Sequence, residues 1–256
     1  MSEPKISCLM VTADRADLAK RAVRCYLQQS YPNKELVVLD NGTEPLDAVL
    51  ADVPAGELVY EQVERKEGTF IGALRNQSLD LATGDFVVPQ WDDDDWYHPD
   101  RLRRQADVLA QGFDAVTVKA TLMHLDAGPY LDHPYIGILK DGVPPTIMHR
   151  RDDDIRFPNL RRTSDTYYLN AWRERRYALM PASDAYLYIR CFHGDNLWGE
   201  DHFLRRMRNS VPDALSYAWH RYVRRNVLGH PRFQLTPNAQ KAFGLYVRDS
   251  KALGLL

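Results

Sequence analysis

Phe86-Val87-Val88-Pro89-Gln90-Trp91-Asp92-Asp93-Asp94-Asp95-Trp96-Tyr97-His98-Pro99-Asp100 joins an apolar run to a proline-led helix through four consecutive aspartates. Phe86 to Pro89 reads as a buried strand. Pro99 sits where a helix begins, and Leu102, Ala106 and Leu109 follow at helical spacing up to a stop at Gly112. Four adjacent carboxylates repel one another, and a strand and a helix on either side hold them at a sheet edge. A hard divalent cation relieves such crowding, because it takes oxygen ligands, keeps several waters and bridges to phosphates. The competing reading is a solvated acidic turn. A calcium loop of the EF-hand kind is excluded, since its spaced acids, central glycine and distal glutamate are missing.

The same rhythm extends in both directions. Ile6 to Val11, Glu35 to Asp40, Leu58 to Gln62 and Ala115 to Leu122 read as strands. Ala16 to Gln29, Leu46 to Ala51 and Ile71 to Leu81 read as helices, the last stopped by Thr83-Gly84. Strands alternating with crossover helices imply an α/β fold with a mostly parallel sheet covered on both faces. Beyond residue 123 the rhythm weakens. Thr146 to His149 and Tyr186 to Arg190 read as strands and Thr163 to Trp172 as a helix capped by Thr163 or Ser164. This half is expected to complete the same sheet and to supply an acceptor side. Residues 201–256 read as a helical, amphipathic extension.

The 256 residues, 45% hydrophobic and 27% charged, suffice for a substantial core. No repeat, secretory leader or apolar run of about 18 residues is visible. Cys8, Cys25 and Cys191 form no CxxC pair, so neither a disulfide framework nor a zinc knuckle is expected and the compartment is read as reducing and cytoplasmic. Residues 1–200 carry 23 Lys and Arg against 32 Asp and Glu, whereas residues 201–256 carry 10 against 3. An acidic body argues against nucleic-acid binding and suits a held cation. In the basic tail, Trp219, Tyr222 and Val223 alternate with Arg221, Arg224 and Arg225, after Arg205, Arg206 and Arg208. The aromatic face is expected to pack onto the acidic body, with peripheral contact to an anionic membrane, at its inner face, as the alternative.

Ligands of open α/β sheets bind beyond the carboxyl ends of the strands. The turn after the first strand, Thr12-Ala13-Asp14-Arg15, has no glycine, and Gly68-Thr69-Phe70-Ile71-Gly72 lacks a trailing Gly-Lys-Ser/Thr. A dinucleotide cradle and a phosphate loop are therefore disfavoured.

Over residues 5–200 the chain resembles the family 2 glycosyltransferases, inverting enzymes of the GT-A nucleotide-sugar fold. Val11-Thr12-Ala13-Asp14-Arg15, Asp40-Asn41-Gly42, Ala73-Leu74-Arg75-Asn76 and Ala82-Thr83-Gly84-Asp85 come in the family's order. Asp92 to Asp95 with Pro99-Asp100-Arg101-Leu102 is similar to its DxD loop and following helix, with Asp92 and Asp94 as the pair. Arg162-Thr163-Ser164-Asp165 sits where the family usually has Glu-Asp at a helix start. His193-Gly194-Asp195-Asn196 resembles its late histidine motif.

The resemblance implies metal-dependent inverting transfer of a hexosyl or hexosaminyl group from a nucleotide sugar, expected to be a UDP-sugar. The acceptor hydroxyl would belong to a glycan, a lipid-linked or a small-molecule acceptor. Residues 1–122 would form the nucleotide-sugar half and 123–200 the acceptor and catalytic half. Thr12, Asp14, Arg15, Asp40, Arg75, Asp92, Asp93 and Arg190 are expected at the donor. Asp40 can accept from the N3–H of uracil, or simply form an Asx turn closed by Gly42. Arg75 offers a cationic fork to base or diphosphate, though an exposed helical arginine looks the same. Asp92 would accept from a ribose hydroxyl, and Asp94 would ligate Mn²⁺ or Mg²⁺. His193 is expected on that cation or on a diphosphate oxygen, and Arg190 on the leaving group. Asp165 is the expected general base, with Asp152-Asp153-Asp154 as its rival. Two other functions remain open: a nucleotidyltransferase, disfavoured by Thr12-Ala13-Asp14-Arg15 where a glycine-rich loop belongs, and a catalytically silent nucleotide or sugar binder.

Overall fold

The computed structural model describes residues 3–126, 128–194 and 199–256. Its strands are β1 (Ile6–Thr12), β2 (Lys34–Asp40), β3 (Leu58–Gln62), β4 (Phe86–Val88), β5 (Trp96–Tyr97), β6 (Ala115–Val118), β7 (Ala120–Leu125), β8 (Tyr135–Ile138), β9 (Met148–Arg150), β10 (Tyr177–Met180) and β11 (Tyr188–Phe192). Its α-helices are α1 (Ala16–Leu27), α2 (Asp47–Leu50), α3 (Ile71–Leu81), α4 (Arg101–Leu109), α5 (Ser164–Arg173), α6 (Glu200–Leu204), α7 (Val211–Ala218) and α8 (Pro237–Ala252).

β1, β2 and β4 are buried along almost their whole length, which requires cover on both faces and suits parallel pairing beneath crossover helices. Together they centre a seven-stranded sheet of order β10-β6-β9-β4-β1-β2-β3. All its neighbours are parallel except β9, which runs against both β4 and β6. The register sets Thr12 opposite Asp40 and Cys8 opposite Val88, so the carboxyl ends of β1, β2 and β4 open on one edge.

The second half does not simply extend this sheet. β5, β11, β7 and β8 form a separate four-stranded sheet, and the single strand expected over 115–122 is two strands in different sheets. The break falls at Lys119, the one exposed residue of that run. Its N–H donates to Met180 O at 3.0 Å on the first sheet, while its carbonyl accepts from Leu139 N at 3.0 Å beside the second. A single lysine within a β-branched run does not by itself mark such a hand-over, because the segments on both sides of it are buried.

The tail divides into two behaviours. Ala239, Ala242 and Tyr246 of α8 join the main core, and Trp96 Nε1 donates to Asp249 at 3.1 Å. α7 and the π-helical turn Trp219–Val223 after it bury none of their residues. Trp219, Tyr222 and Val223 are exposed, which corrects the expectation that this face packs onto the body. No helix among the described residues is long and apolar enough to cross a membrane. All three cysteines are free and buried.

Candidate active site

The open edge of β1, β2 and β4 forms a cleft of about 540 Å³. Into it project Thr12 at the end of β1 and Arg15 after it, Asn41 after β2, Arg75 of α3, the loop after β4, Arg190 of β11, and Arg161 to Asp165 at the start of α5.

The four aspartates are not equivalent. The side chains of Asp92 and Asp94 are 28% and 19% exposed and that of Asp93 only 6%, while Asp95 is buried. The chain turns at Asp93 and Asp94, and Asp92 and Asp94 are the two that open most onto the cleft. Thr12 Oγ1 donates to Asp93 Oδ2 at 2.6 Å. Arg15 Nη1 lies 3.4 Å from Asp93 Oδ1 and 3.3 Å from Asp94 Oδ2. Asp95 accepts from the Cys191 N–H at 2.9 Å and from the Tyr188 hydroxyl, which ties the loop to β11.

Behind the loop stands an aromatic support that sequence reading did not anticipate. Trp91 donates Nε1–H to Ala22 O at 3.0 Å and stacks on Tyr97 at 4.0 Å. Tyr97 donates to the Asp92 carbonyl at 2.9 Å. The fully buried Arg101 guanidinium lies 5.4, 4.8 and 5.3 Å from the rings of Trp91, Tyr97 and Tyr188. Desolvated cation–π contacts of this kind contribute about 2 kcal/mol each. They hold the acidic loop in place before any ligand arrives.

Burial and the neighbouring Asp94 charge push Asp93 up to about 7 and Asp95 up to about 8, and burial raises Asp92 as well. For Asp94, burial is outweighed by the His193 hydrogen bond and the Arg15, His193 and Arg190 charges, so its carboxyl sits below the usual range. The cluster thus keeps one cleft-facing carboxylate firmly ionised. His193 Nε2 lies 3.5 Å from Asp94 Oδ2, and Gly194, at φ 95°, turns the chain away from β11. Asp195 and Asn196, the rest of that motif, lie outside the described residues.

Asp165 occupies the first turn of α5, aimed by Thr163, whose left-handed φ of 65° bends the chain into the helix. Its Oδ1 accepts from the Thr166 N–H at 2.8 Å. Arg75 bridges the two acidic elements: Nη2 is 3.4 Å from Asp92 Oδ1, and Nη1 donates to Ser164 Oγ at 3.4 Å. Arg190 stays charged, because the opposing effect of burial is exceeded by Asp95, Tyr188, Asp94 and Asp165. None of Asp152, Asp153 and Asp154 lines the cleft. Asp152 Oδ1 instead accepts from the N–H groups of Asp154 and Ile155, at 2.9 and 3.1 Å.

Thr12, Arg15, Arg75, Asp92, Asp93, Asp94, Asp165 and Arg190 therefore meet in one cleft, with His193 against Asp94. Asp14 and Asp40 do not line it. Asp14 accepts from Thr43 N at 2.6 Å and Glu44 N at 3.2 Å and pairs with Arg65; those backbone bonds hold its carboxyl below the usual range. Asp40 closes an Asx turn on Gly42 N at 2.7 Å and accepts from the Tyr60 hydroxyl at 3.0 Å. A Cβ on Gly42 would approach Asp14 N to 2.6 Å and Asp40 Oδ1 to 2.9 Å, so only glycine fits between them.

Gln90, Arg161 and Arg162 also line the cleft and were not expected there. No local signal marked Gln90, which is as buried as its neighbours Pro89 and Trp91. It is 2% exposed and its Oε1 has no partner among the described residues. Replacing it with leucine removes an unsatisfied acceptor and should leave thermal stability unchanged or about 1 kcal/mol higher. The donor KM should meanwhile rise about tenfold, the worth of one lost hydrogen bond to a polar ligand. Melting curves and donor titrations measure the two effects separately, and an unchanged KM would mean that this oxygen does not meet the donor.

The model of Glycosyl transferase family 2 matches residues 7–159, from β1 through β9. A protein of Escherichia coli (strain K12), provisionally named a colanic acid biosynthesis glycosyl transferase, WcaA, is 33% identical over 104 residues, 40% of this chain and 36% of that protein. The matched stretch spans little more than a third of the length of the curated relatives. Among solved structures, S. aureus TarS 1-349 in complex with UDP-GlcNAc superposes with a TM-score of 0.59 at 19% identity, covering 98% of this chain and 84% of that one. A mannosyltransferase from Pyrobaculum calidifontis in complex with GDP-Man and Mn²⁺ gives a TM-score of 0.56 at 16% identity, covering 99% and 79%. These superpositions establish a shared GT-A-like fold. With the family match running through the strand ends, the Arg75 helix and the acidic loop, the chain belongs to glycosyl transferase family 2.

Proposed function

We propose that this protein transfers a sugar from a nucleotide sugar, with UDP as the expected carrier, to an acceptor hydroxyl with inversion. The observation that carries this reading is the joint presence in one cleft of the Asp92 and Asp94 pair, two buried or half-buried arginines and Asp165 on a separate element. Asp165 accepts the acceptor's proton as its oxygen attacks the anomeric carbon. The bond from that carbon to the diphosphate oxygen breaks with its electron pair on the leaving group. Arg190, and Arg75 at the Asp92 side, meet the charge that develops there. Asn41 and the Val11 to Ala13 segment flank the base, with Asp40 behind them.

Asp94 and His193 are the donors that suit a cation. They approach to 3.5 Å, and a cation held by these two would draw its other ligands from water and diphosphate. Bound there, Mn²⁺ or Mg²⁺ supplies charge neutralisation of the diphosphate. The UDP-GlcNAc of one similar structure and the GDP-Man with Mn²⁺ of the other support the donor class. Family membership weighs against a nucleotidyltransferase; a silent binder is separated from an enzyme by transfer of a labelled donor.

The decisive measurement is a thermal-shift panel of UDP, GDP, dTDP and CMP, each with and without Mn²⁺. The expected result is a Mn²⁺-dependent gain confined to UDP. Equal gains from all four would remove UDP as the preferred carrier, and equal gains without Mn²⁺ would remove the cation.

A further inference from the structure

α7 and the π-helical turn after it are built the opposite way round from a helix of a water-soluble core. Val211, Leu215, Trp219, Tyr222 and Val223, at spacings of four, four, three and one, form a stripe whose members are 53–75% exposed. The polar side is the one that docks. Asp213 is held by Ser210 and Arg232, and Tyr217 and His220 meet His230 at ring distances of 6.5 and 6.3 Å. Exposed Arg205 and Arg208 precede the stripe, and exposed Arg221, Arg224 and Arg225 end it. Asp213, the lone acid between them, is already neutralised by Arg232.

We propose that this stripe rests on an anionic lipid bilayer, with Leu215 and Val211 at the acyl boundary, Trp219 and Tyr222 at headgroup depth and the arginines on lipid phosphates. An apolar stripe with interfacial aromatics and flanking arginines is the pattern by which a helix lies in a bilayer surface. A second protein surface would need no arginine rim of one sign.

Cosedimentation of the full chain with vesicles tests the membrane contact without reference to turnover. Phosphatidylcholine vesicles containing phosphatidylglycerol should bind the protein, pure phosphatidylcholine vesicles should not, and added salt should weaken binding. Replacing Arg221, Arg224 and Arg225 together with alanine should weaken it about 100-fold, at roughly one tenfold step or less per charge. Leu215→Asp with Trp219→Asp should abolish it while leaving the melting temperature and the donor shift intact, because both side chains face away from the body. Indifference to phosphatidylglycerol, or wild-type binding by the Leu215 and Trp219 variant, would overturn the proposal. So would a wild-type dimer in the ultracentrifuge that this variant makes monomeric, which assigns the stripe to a second copy.

Discussion

Asp165→Asn is expected to lower kcat by about 10²–10⁴-fold, the range supplied by a positioned general base, with donor affinity unchanged. Asparagine matches aspartate in shape and can still accept from the Thr166 N–H, so the start of α5 and the aim of the side chain persist. What it loses is the capacity to hold the acceptor's proton. Rescue by another carboxylate is blocked by placement. Asp152 to Asp154 lie outside the cleft, and Asp92 is engaged with Arg75. Steady-state rates with a labelled donor give kcat, and the nucleotide thermal shift reports donor binding independently. Retention of more than roughly a tenth of wild-type kcat would move the base elsewhere.

Asp94→Ala is expected to cost about 10³-fold in kcat/KM and to remove the Mn²⁺ dependence of both the thermal shift and the rate. The magnitude corresponds to several kcal/mol of charge stabilisation at a departing diphosphate. Asp94 is singled out because His193 and Arg15 keep it ionised while burial raises its three neighbours. Its removal leaves the fold intact, since the loop is held by Trp91, Tyr97, Arg101 and the Asp95 bonds to β11. A chelator should reproduce the loss in the wild-type protein, and Mn²⁺ should restore the wild type but not the variant. Equal restoration of both would show that another residue holds the cation.

Much of the frame was legible because its signals are local. The strand at 35–40, the helix at 71–81 and the acidic loop between strand and helix each follow from periodicity and punctuation within a dozen residues. The inward set of Asp93 and Asp95 is not local, since it depends on Thr12, Tyr188 and Cys191 from other elements. Arg101 shows where that logic stops: a helical arginine beside Pro99 and Asp100 looks solvated, yet it is fully buried among three rings from separate elements. Asp14 and Asp40 show the same limit, since their backbone and hydroxyl partners come from neighbouring loops and strands.

The alternation of strands and helices from β1 to β4, the acidic loop at a strand end and the basic character of the tail were determined by the sequence by itself. They depend on hydrophobic period, turn residues and charge, all of which act between near neighbours. Only the tertiary structure decided that the chain splits into two sheets at Lys119, that Asp165 and Asp94 line one cleft, and that the aromatic side of α7 looks outward. Those outcomes depend on which buried surfaces meet over long sequence separations. A period along the chain reports that a face is apolar, but the packing of all the other elements determines what covers it.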